Sequence, residues 1–294
     1  MSGIGTHTSM EMNRKEIETG RPVEMAPEMR SVELPTGVTL QYVEQGDPLG
    51  IPVLFLHGLG DSWHSFEPVL PYLPESVRAF ALTQRGHGDS SRPDVGYLLQ
   101  DFAADVASFM DALELESAVI VGHSLGSAIA QRVAIDHPER TNGLVLEGSF
   151  LSLANNPVAQ EIWDSVISTL EDPVDPSFVR EFQESTVVGP VPDAFMETLV
   201  RESLKLPARI WKSTVAGALQ DDFSGELYKI EAPTLLVWGD QDEMVPRREQ
   251  EAQTAVIAGS RLVVYHAAGH SAHWEEPDRF ASDLARFIES SKLI

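Results

Sequence analysis

The chain has 294 residues, 43% hydrophobic and 22% charged, which is enough apolar material for one α/β core with an insertion and argues against bulk disorder. Its 45 acidic against 21 basic residues give a formal net charge of -24; this argues against nucleic acid, whose phosphates call for Lys and Arg, and against anionic membranes. With no cysteine, thiol catalysis, disulfides and thiolate metal sites are excluded.

Residues 1–29 mix polar, charged and Met residues without period and are expected to be a mobile extension outside the fold. Residues 1–20 hold no apolar stretch resembling a signal core, and no apolar run anywhere is long enough to span a bilayer, so a soluble, cytoplasmic protein is expected. Residues 31–34 and 38–44 read as strands joined through Pro35-Thr36-Gly37, an opening hairpin. Apolar strand-like runs then follow at 52–56, 77–82, 118–121, 144–146, 234–238 and 262–265. Helical spacing separates or follows them at 62–73, where prolines interrupt, and at 98–113, 124–137, 247–258 and 277–290. Asp101 and Asp105 are expected on the solvated side of the second of these helices. Continuous apolar strands alternating with helices imply a doubly wound, mostly parallel sheet covered on both faces.

Between 150 and 222 the alternation stops. Four amphipathic segments appear at 155–170, 176–185, 192–205 and 207–220, with prolines near their starts, where a missing N–H costs least. This block sits between two strands and is expected to fold over the sheet as a helical lid, leaving 30–149 and 223–294 as the α/β core.

The strongest local signal is Gly122-His123-Ser124-Leu125-Gly126, placed between the strand at 118–121 and the helix that follows. Glycines on either side allow a strained strand-to-helix turn that lifts a serine hydroxyl above the sheet. The helix N-terminus beneath it favours developing negative charge. A serine hydroxyl is a weak nucleophile and needs a base, which in turn needs an orienting carboxylate. Downstream histidines are His137, His266, His270 and His273. His137 lies at the far end of the serine's own helix, and His266 sits at the tip of a strand. His270 occupies the loop after the last strand, at the sheet edge where catalytic groups gather, with His273 its competitor. The loop after 234–238 offers Asp240, Asp242 and Glu243; Asp242 has the favoured spacing, and Glu147, at another strand end, is a second possible acid.

A tetrahedral oxyanion needs backbone donors. Leu125 N–H follows the serine, and His57-Gly58-Leu59-Gly60, at the end of the strand at 52–56, allows close backbone approach and offers Leu59 N–H as the second.

These motifs resemble the lid-bearing branch of the α/β-hydrolase superfamily, over residues 31–290. Besides the serine elbow, Arg85-Gly86-His87-Gly88-Asp89-Ser90 is similar to the superfamily's R-G-x-G-x-S loop; Ala232-Pro233-Thr234 leads into the acid loop, and Gly269-His270 precedes Glu275-Glu276-Pro277. Two positions depart from the pattern: Thr83 stands where Asp is common, which puts a structural hydrogen bond in question, and Ser127 stands where a second Gly is common. The resemblance implies a Ser124-His270-Asp242 triad without metal or cofactor, and Ser124 argues against the dehalogenases and epoxide hydrolases, which use Asp.

The leading expectation is hydrolysis of a carboxylic ester or lactone, on a neutral and partly apolar small molecule, through an acyl-enzyme. Carbon-carbon hydrolases and cofactor-free perhydrolases share the triad, and hormone receptors built on the same scaffold are the reading from another class. Trp63, His64, Phe66, His123, Trp163 and Trp211 are the candidate substrate contacts, although Trp63 and Phe66 suit a helix core equally well, and Trp163, Phe195 and Trp211 can equally pack a lid onto the core.

Overall fold

A computed structural model describes residues 28–154 and 156–291. The expected N-terminal extension falls outside these residues except at its end, where Met29 already belongs to the first strand. Strands β1 (Met29–Glu33) and β2 (Thr39–Gln45) form the antiparallel hairpin expected around Gly37. They join β3 (Ile51–Leu56), β4 (Val77–Thr83), β5 (Ala118–His123), β6 (Thr141–Glu147), β7 (Thr234–Gly239) and β8 (Arg261–Tyr265) in one eight-stranded sheet of order β1-β2-β4-β3-β5-β6-β7-β8. From β4 to β8 every pairing is parallel.

Side chains alternate across a strand, and here both faces are buried. Leu54, Leu56, Ile120, Leu144 and Leu146 pack with Phe102, Val106 and Ile129 of helices α1 (Leu99–Ala112) and α2 (Leu125–Asp136). Their neighbours Val53, Phe55, Val119, Val121 and Val145 pack instead with Phe280, Leu284 and Phe287 of the C-terminal helix. Hence the strands read as unbroken apolar runs rather than alternating ones.

Helices α3 (Pro157–Ser165), α4 (Pro176–Glu184), α5 (Asp193–Ser203) and α6 (Ala208–Gln220) lie between β6 and β7 in the chain. The starts of α3 and α4 have a local cause. Asn156 accepts from Val158 N at 2.9 Å and Ala159 N at 3.1 Å, Asp175 accepts from Ser177 N at 2.8 Å, and Pro157 and Pro176 take the first helical position. Helices α7 (Arg247–Val256), α8 (Ala272–Glu275) and α9 (Pro277–Ser290) complete the chain.

Three expectations need correction. The helix over 62–73 is two 3-10 turns, Trp63–Phe66 and Leu70–Tyr72, because Pro68 and Pro71 each lack the N–H a continuous helix would use. The segment over 155–170 is helical only at Pro157–Ser165, with a separate 3-10 turn at Ile167–Thr169, and Asn155 lies outside the described residues. Asp105 is buried rather than solvated: the Arg85 guanidinium donates to both its oxygens, at 2.5 and 2.6 Å, and so ties the R-G-x-G loop to α1. Asp101 stays at the helix start, accepting from Leu98 N at 2.9 Å.

Candidate active site

Ser124 joins β5 to α2 with φ 52° and ψ -117°, backbone angles that cost an L-residue on the order of 1–3 kcal/mol. The turn is this tight because α2 starts almost on top of β3 and β5. A Cβ on Gly126 would lie 2.0 Å from Leu56 O, and one on Gly122 would lie 2.2 Å from Gly126 O, so only glycine fits on either side. Ser124 N donates to Glu147 O at 2.9 Å, and Ser127 Oγ donates to Ser124 O at 2.6 Å. The serine that replaces the superfamily's second glycine thus braces the turn. Thr83, the other departure, accepts from Trp63 N at 3.1 Å through Oγ1, so a structural hydrogen bond is kept there.

His270, in the loop after β8, donates from Nδ1 to Asp242 Oδ2 at 2.8 Å, with both side chains buried. Asp242 Oδ1 accepts from Met244 N and Val245 N, at 2.8 and 2.9 Å, so the carboxylate is held at both oxygens. Burial has the largest effect on His270 and disfavours its charged form. The charge and hydrogen bond of Asp242, helped by Glu147 and Asp61, outweigh it and raise the imidazole pKa above its ordinary value. His270 Nε2 is buried without a hydrogen-bond partner among the described residues. Ser124 and His270 line one small cavity, together with Gly58, Leu59, Asp61, His123 and Gln183. An imidazole fixed at Nδ1 by a carboxylate, with Nε2 unpaired, and a serine held at a strained turn thus line the same cavity, an arrangement suited to passing a proton between them.

The competing acid and base pair with each other. His273 N donates to Glu147 Oε1 at 2.9 Å, and His273 Nδ1 lies 2.8 Å from Glu147 Oε2. Both are buried in the core, with Ser65 Oγ 3.2 Å from His273 Nε2. Asp240 binds the exposed His266 at 2.8 Å and Ala267 N at 2.8 Å, and the hydrogen bond from Gln241, followed by these two, holds its carboxyl down to about 2. His137 closes the far end of α2.

The turn after β3 is built around His57. Gln84 N donates to His57 Nε2 at 3.0 Å, so Nδ1 carries the proton and donates to Gly58 O at 2.8 Å. Burial, with His87 beside it, keeps the His57 pKa well below its ordinary value and the ring neutral. Asp61 N closes the turn onto Gly58 O at 3.3 Å, and Gly60 has φ +83°, the backbone sign a type II turn requires at its third residue. Leu59 is therefore the second residue of a four-residue turn. Its partner in the expected oxyanion pair, Leu125, is the first residue of α2, where an N–H has no intrahelical acceptor.

A second cavity adjoins the first; both are walled by Leu59, Ser124, Phe182 and Met244. Its other walls include Phe150, Leu153, Val158 and Ile162, and Val215 and Leu219 of α6. Apart from Ser124, every described residue lining it is apolar.

Most of the expected pocket aromatics lie elsewhere. Trp63 and Phe66 are buried in the core, Phe66 against Phe55 with ring centroids 5.0 Å apart. His64 stacks on Trp63 and binds Glu67 at 2.6 Å, and Trp163 packs at the core's margin. Trp211 is fully buried, its ring edge against Phe182 and its tip over Gly60. Phe195 packs against Trp274, with centroids 5.8 Å apart. Of the candidate substrate contacts only His123 reaches a cavity wall, and burial pushes its pKa down, with His273 and His270 adding to the effect. The cavity lining from α3 and α6, and the polar residues Asp61 and Gln183, were not singled out from sequence. An i, i+3, i+4 apolar pattern such as Val158-Ile162 or Val215-Leu219 is the same for core and cavity.

Among the described residues no group of three or more His, Asp or Glu side chains is arranged to hold a metal ion, and no helix is long and apolar enough to cross a membrane. A profile of the alpha/beta hydrolase family matches residues 53–283. The chain is similar to a non-heme chloroperoxidase of Streptomyces lividans, 27% identical over 282 residues, 89% of this chain and 100% of that one. It is 28% identical over 276 residues to a 2-hydroxymuconate semialdehyde hydrolase of Pseudomonas sp. strain CF600, covering 90% of this chain and 95% of that one. Among solved structures it is similar to the esterase RhEst1 of Rhodococcus sp. ECU1013, with a TM-score of 0.79, 25% identity, and 89% and 98% of the two chains covered. With that profile spanning most of the sequence and the fold in agreement, this chain belongs to the alpha/beta hydrolase family.

Proposed function

We propose that this hydrolase cleaves a neutral, largely apolar carboxylic ester or lactone through an acyl-enzyme on Ser124. His270 Nε2 takes the Ser124 proton as Oγ attacks the carbonyl carbon, and Asp242 holds the ring with its proton on Nδ1. The N–H groups of Leu59 and Leu125 receive the oxyanion, and His270 returns the proton to the leaving alcohol oxygen. Water, deprotonated by His270, then attacks the acyl carbon; the acyl carbon–Ser124 Oγ bond breaks, His270 returns the proton to Oγ, and the acid leaves. Residues 150–222 act as the lid, supplying much of the apolar wall that receives the substrate's hydrocarbon part, with 30–149 and 223–294 as the core.

The observation that carries this reading is a strained serine and a carboxylate-held imidazole on one cavity wall, next to a cavity with no charged side chain among its described residues. That lining also ranks the alternatives. The 2-hydroxymuconate semialdehyde hydrolase relative supports carbon-carbon cleavage as the second reading, but an anionic substrate would need a cation that the described lining does not offer. The chloroperoxidase relative supports perhydrolysis as a side reaction, in which hydrogen peroxide replaces water in deacylation and gives a peracid.

A graded series of p-nitrophenyl esters, from acetyl to decanoyl, tests the proposal. Turnover that is lost in Ser124→Ala and favours intermediate chains supports it. Tight ligand binding with negligible turnover across esters and lactones would instead make the protein a receptor.

A further inference from the structure

Two buried polar residues outside the expected triad, Gln183 and Ser203, converge on the turn that carries Leu59 and ends at Asp61. Gln183 of α4 donates from Nε2 to Ser203 Oγ at 2.8 Å and to Asp61 Oδ1 at 2.9 Å. Ser203 of α5 donates in turn to Gly60 O at 2.8 Å. Asp61 Oδ2 accepts from Ser65 Oγ at 3.4 Å. Gln183, Ser203 and Asp61 are each at most 2% exposed. Burying three polar side chains costs free energy unless every bond is made, so such a network is sensitive to the position of each member.

The placement of these bonds within the turn is specific. Gly58–Asp61 is closed at its first residue by His57 and Asp61 N, both on Gly58 O. Its third and fourth residues, Gly60 and Asp61, are held by Ser203 and Gln183. The second residue, Leu59, has its N–H direction fixed by what holds the other three. Trp211 of α6 blocks the remaining side, since a Cβ on Gly60 would lie 2.6 Å from its ring.

We infer that Gln183 and Ser203 are positioning residues for the oxyanion turn, so that α4 and α5 set the aim of Leu59 N–H as well as covering the site. The inference rests on the hydrolase reading above. It makes two side chains of the helical segment part of transition-state stabilisation through the turn they hold, Gln183 from the cavity wall and Ser203 from behind it. Burial also pushes the Asp61 carboxyl up to about 6, opposed by the hydrogen bond from Gln183, the charge of His273 and the hydrogen bond from Ser65. The turn's anchor is thus a group that Gln183 helps to keep ionised.

Misaiming one donor should cost less than deleting it, and deletion typically costs 10²- to 10³-fold. Ser203→Ala and Gln183→Met are therefore expected to lower kcat about tenfold with KM within about twofold, and Ser203→Thr to restore most of the loss. The double variant should be little worse than the poorer single one, because both act through one network. Rates are taken per site titrated with a fluorophosphonate, so that only molecules with a competent serine are counted and partial misfolding does not enter. A kcat per titrated site within twofold of wild type in both single variants, or a loss that threonine does not restore, would overturn the inference while leaving the hydrolase reading intact. A wild type that neither turns over esters nor takes the label at Ser124 removes both.

Discussion

Ser124→Gly should make the protein more stable while abolishing its activity. The angles φ 52° and ψ -117° are close to those of the first central residue of a type II′ turn, which glycine adopts freely and other L-residues adopt at a cost. Relief of about 1–3 kcal/mol of strain is offset by about 0.4–1 kcal/mol, because glycine has more freedom to lose from the unfolded chain. The net gain is about 0.5–2 kcal/mol, or a few degrees in Tm at this size. The main-chain ties, Ser124 N to Glu147 O and Ser127 Oγ to Ser124 O, survive the substitution. Ser124→Ala is the matched control, since it also removes the hydroxyl but keeps the Cβ and the strain. Urea unfolding followed by tryptophan fluorescence compares the two. A glycine variant no more stable than the alanine variant would refute the claim that the elbow stores strain.

The pH dependence follows from His270. Only the neutral imidazole can take the serine proton, so kcat/KM should rise with pH through a pKa above 6.5, and Asp242→Asn, which removes the charge that raises it, should move that limb to lower pH while lowering kcat by about 10⁴. Asp61 shows the opposite linkage. Its folded pKa of about 6 lies above 3.8, so the unfolded chain ionises first and wild-type stability falls between those values, by at most on the order of 3 kcal/mol above pH 6. Asp61→Asn should therefore be more stable than wild type at pH 8 and lose that advantage by pH 3.5, as read from denaturation at the two pH values. Gly148→Ala should cut kcat about 100-fold, because the new Cβ would lie 2.7 Å from His270 Cε1 and displace the ring, and should also lower stability by about 1–2 kcal/mol, because φ +53° strains an L-residue; steady-state kinetics beside urea unfolding would check this.

The fold was legible where its determinants are local. Runs such as Val53–Phe55 and Val119–Val121 are apolar on both faces because both faces are covered, and their alternation with helices permits few topologies. The elbow was legible because the strand-serine-helix order and its flanking glycines are contiguous in sequence, and Gly122 is required by contact with Gly126 O four residues on, although what requires Gly126 is the distant Leu56 O. Long-range pairing was not. Nothing at Asp105 marks it as the partner of Arg85, and an acidic residue at helical spacing reads as solvated until the packing supplies a guanidinium. Glu147 and His273 each resembled a spare catalytic group for the same reason, since strand-end carboxylates and loop histidines look alike whether they meet each other or a serine. The aromatic residues near the turn after β3 were uninformative because a ring such as Trp211 lowers its free energy equally by lining a cavity or filling the core, and only the docking of α6 decides which.

The central claim is that the Ser124 hydroxyl is made nucleophilic by His270. Labelling with a fluorophosphonate, followed by peptide mapping of the adduct, tests it most directly. The account predicts one adduct per chain on Ser124, formed quickly in the wild type and orders of magnitude more slowly in His270→Ala. An adduct on another residue, or equal labelling rates in the two proteins, would contradict it.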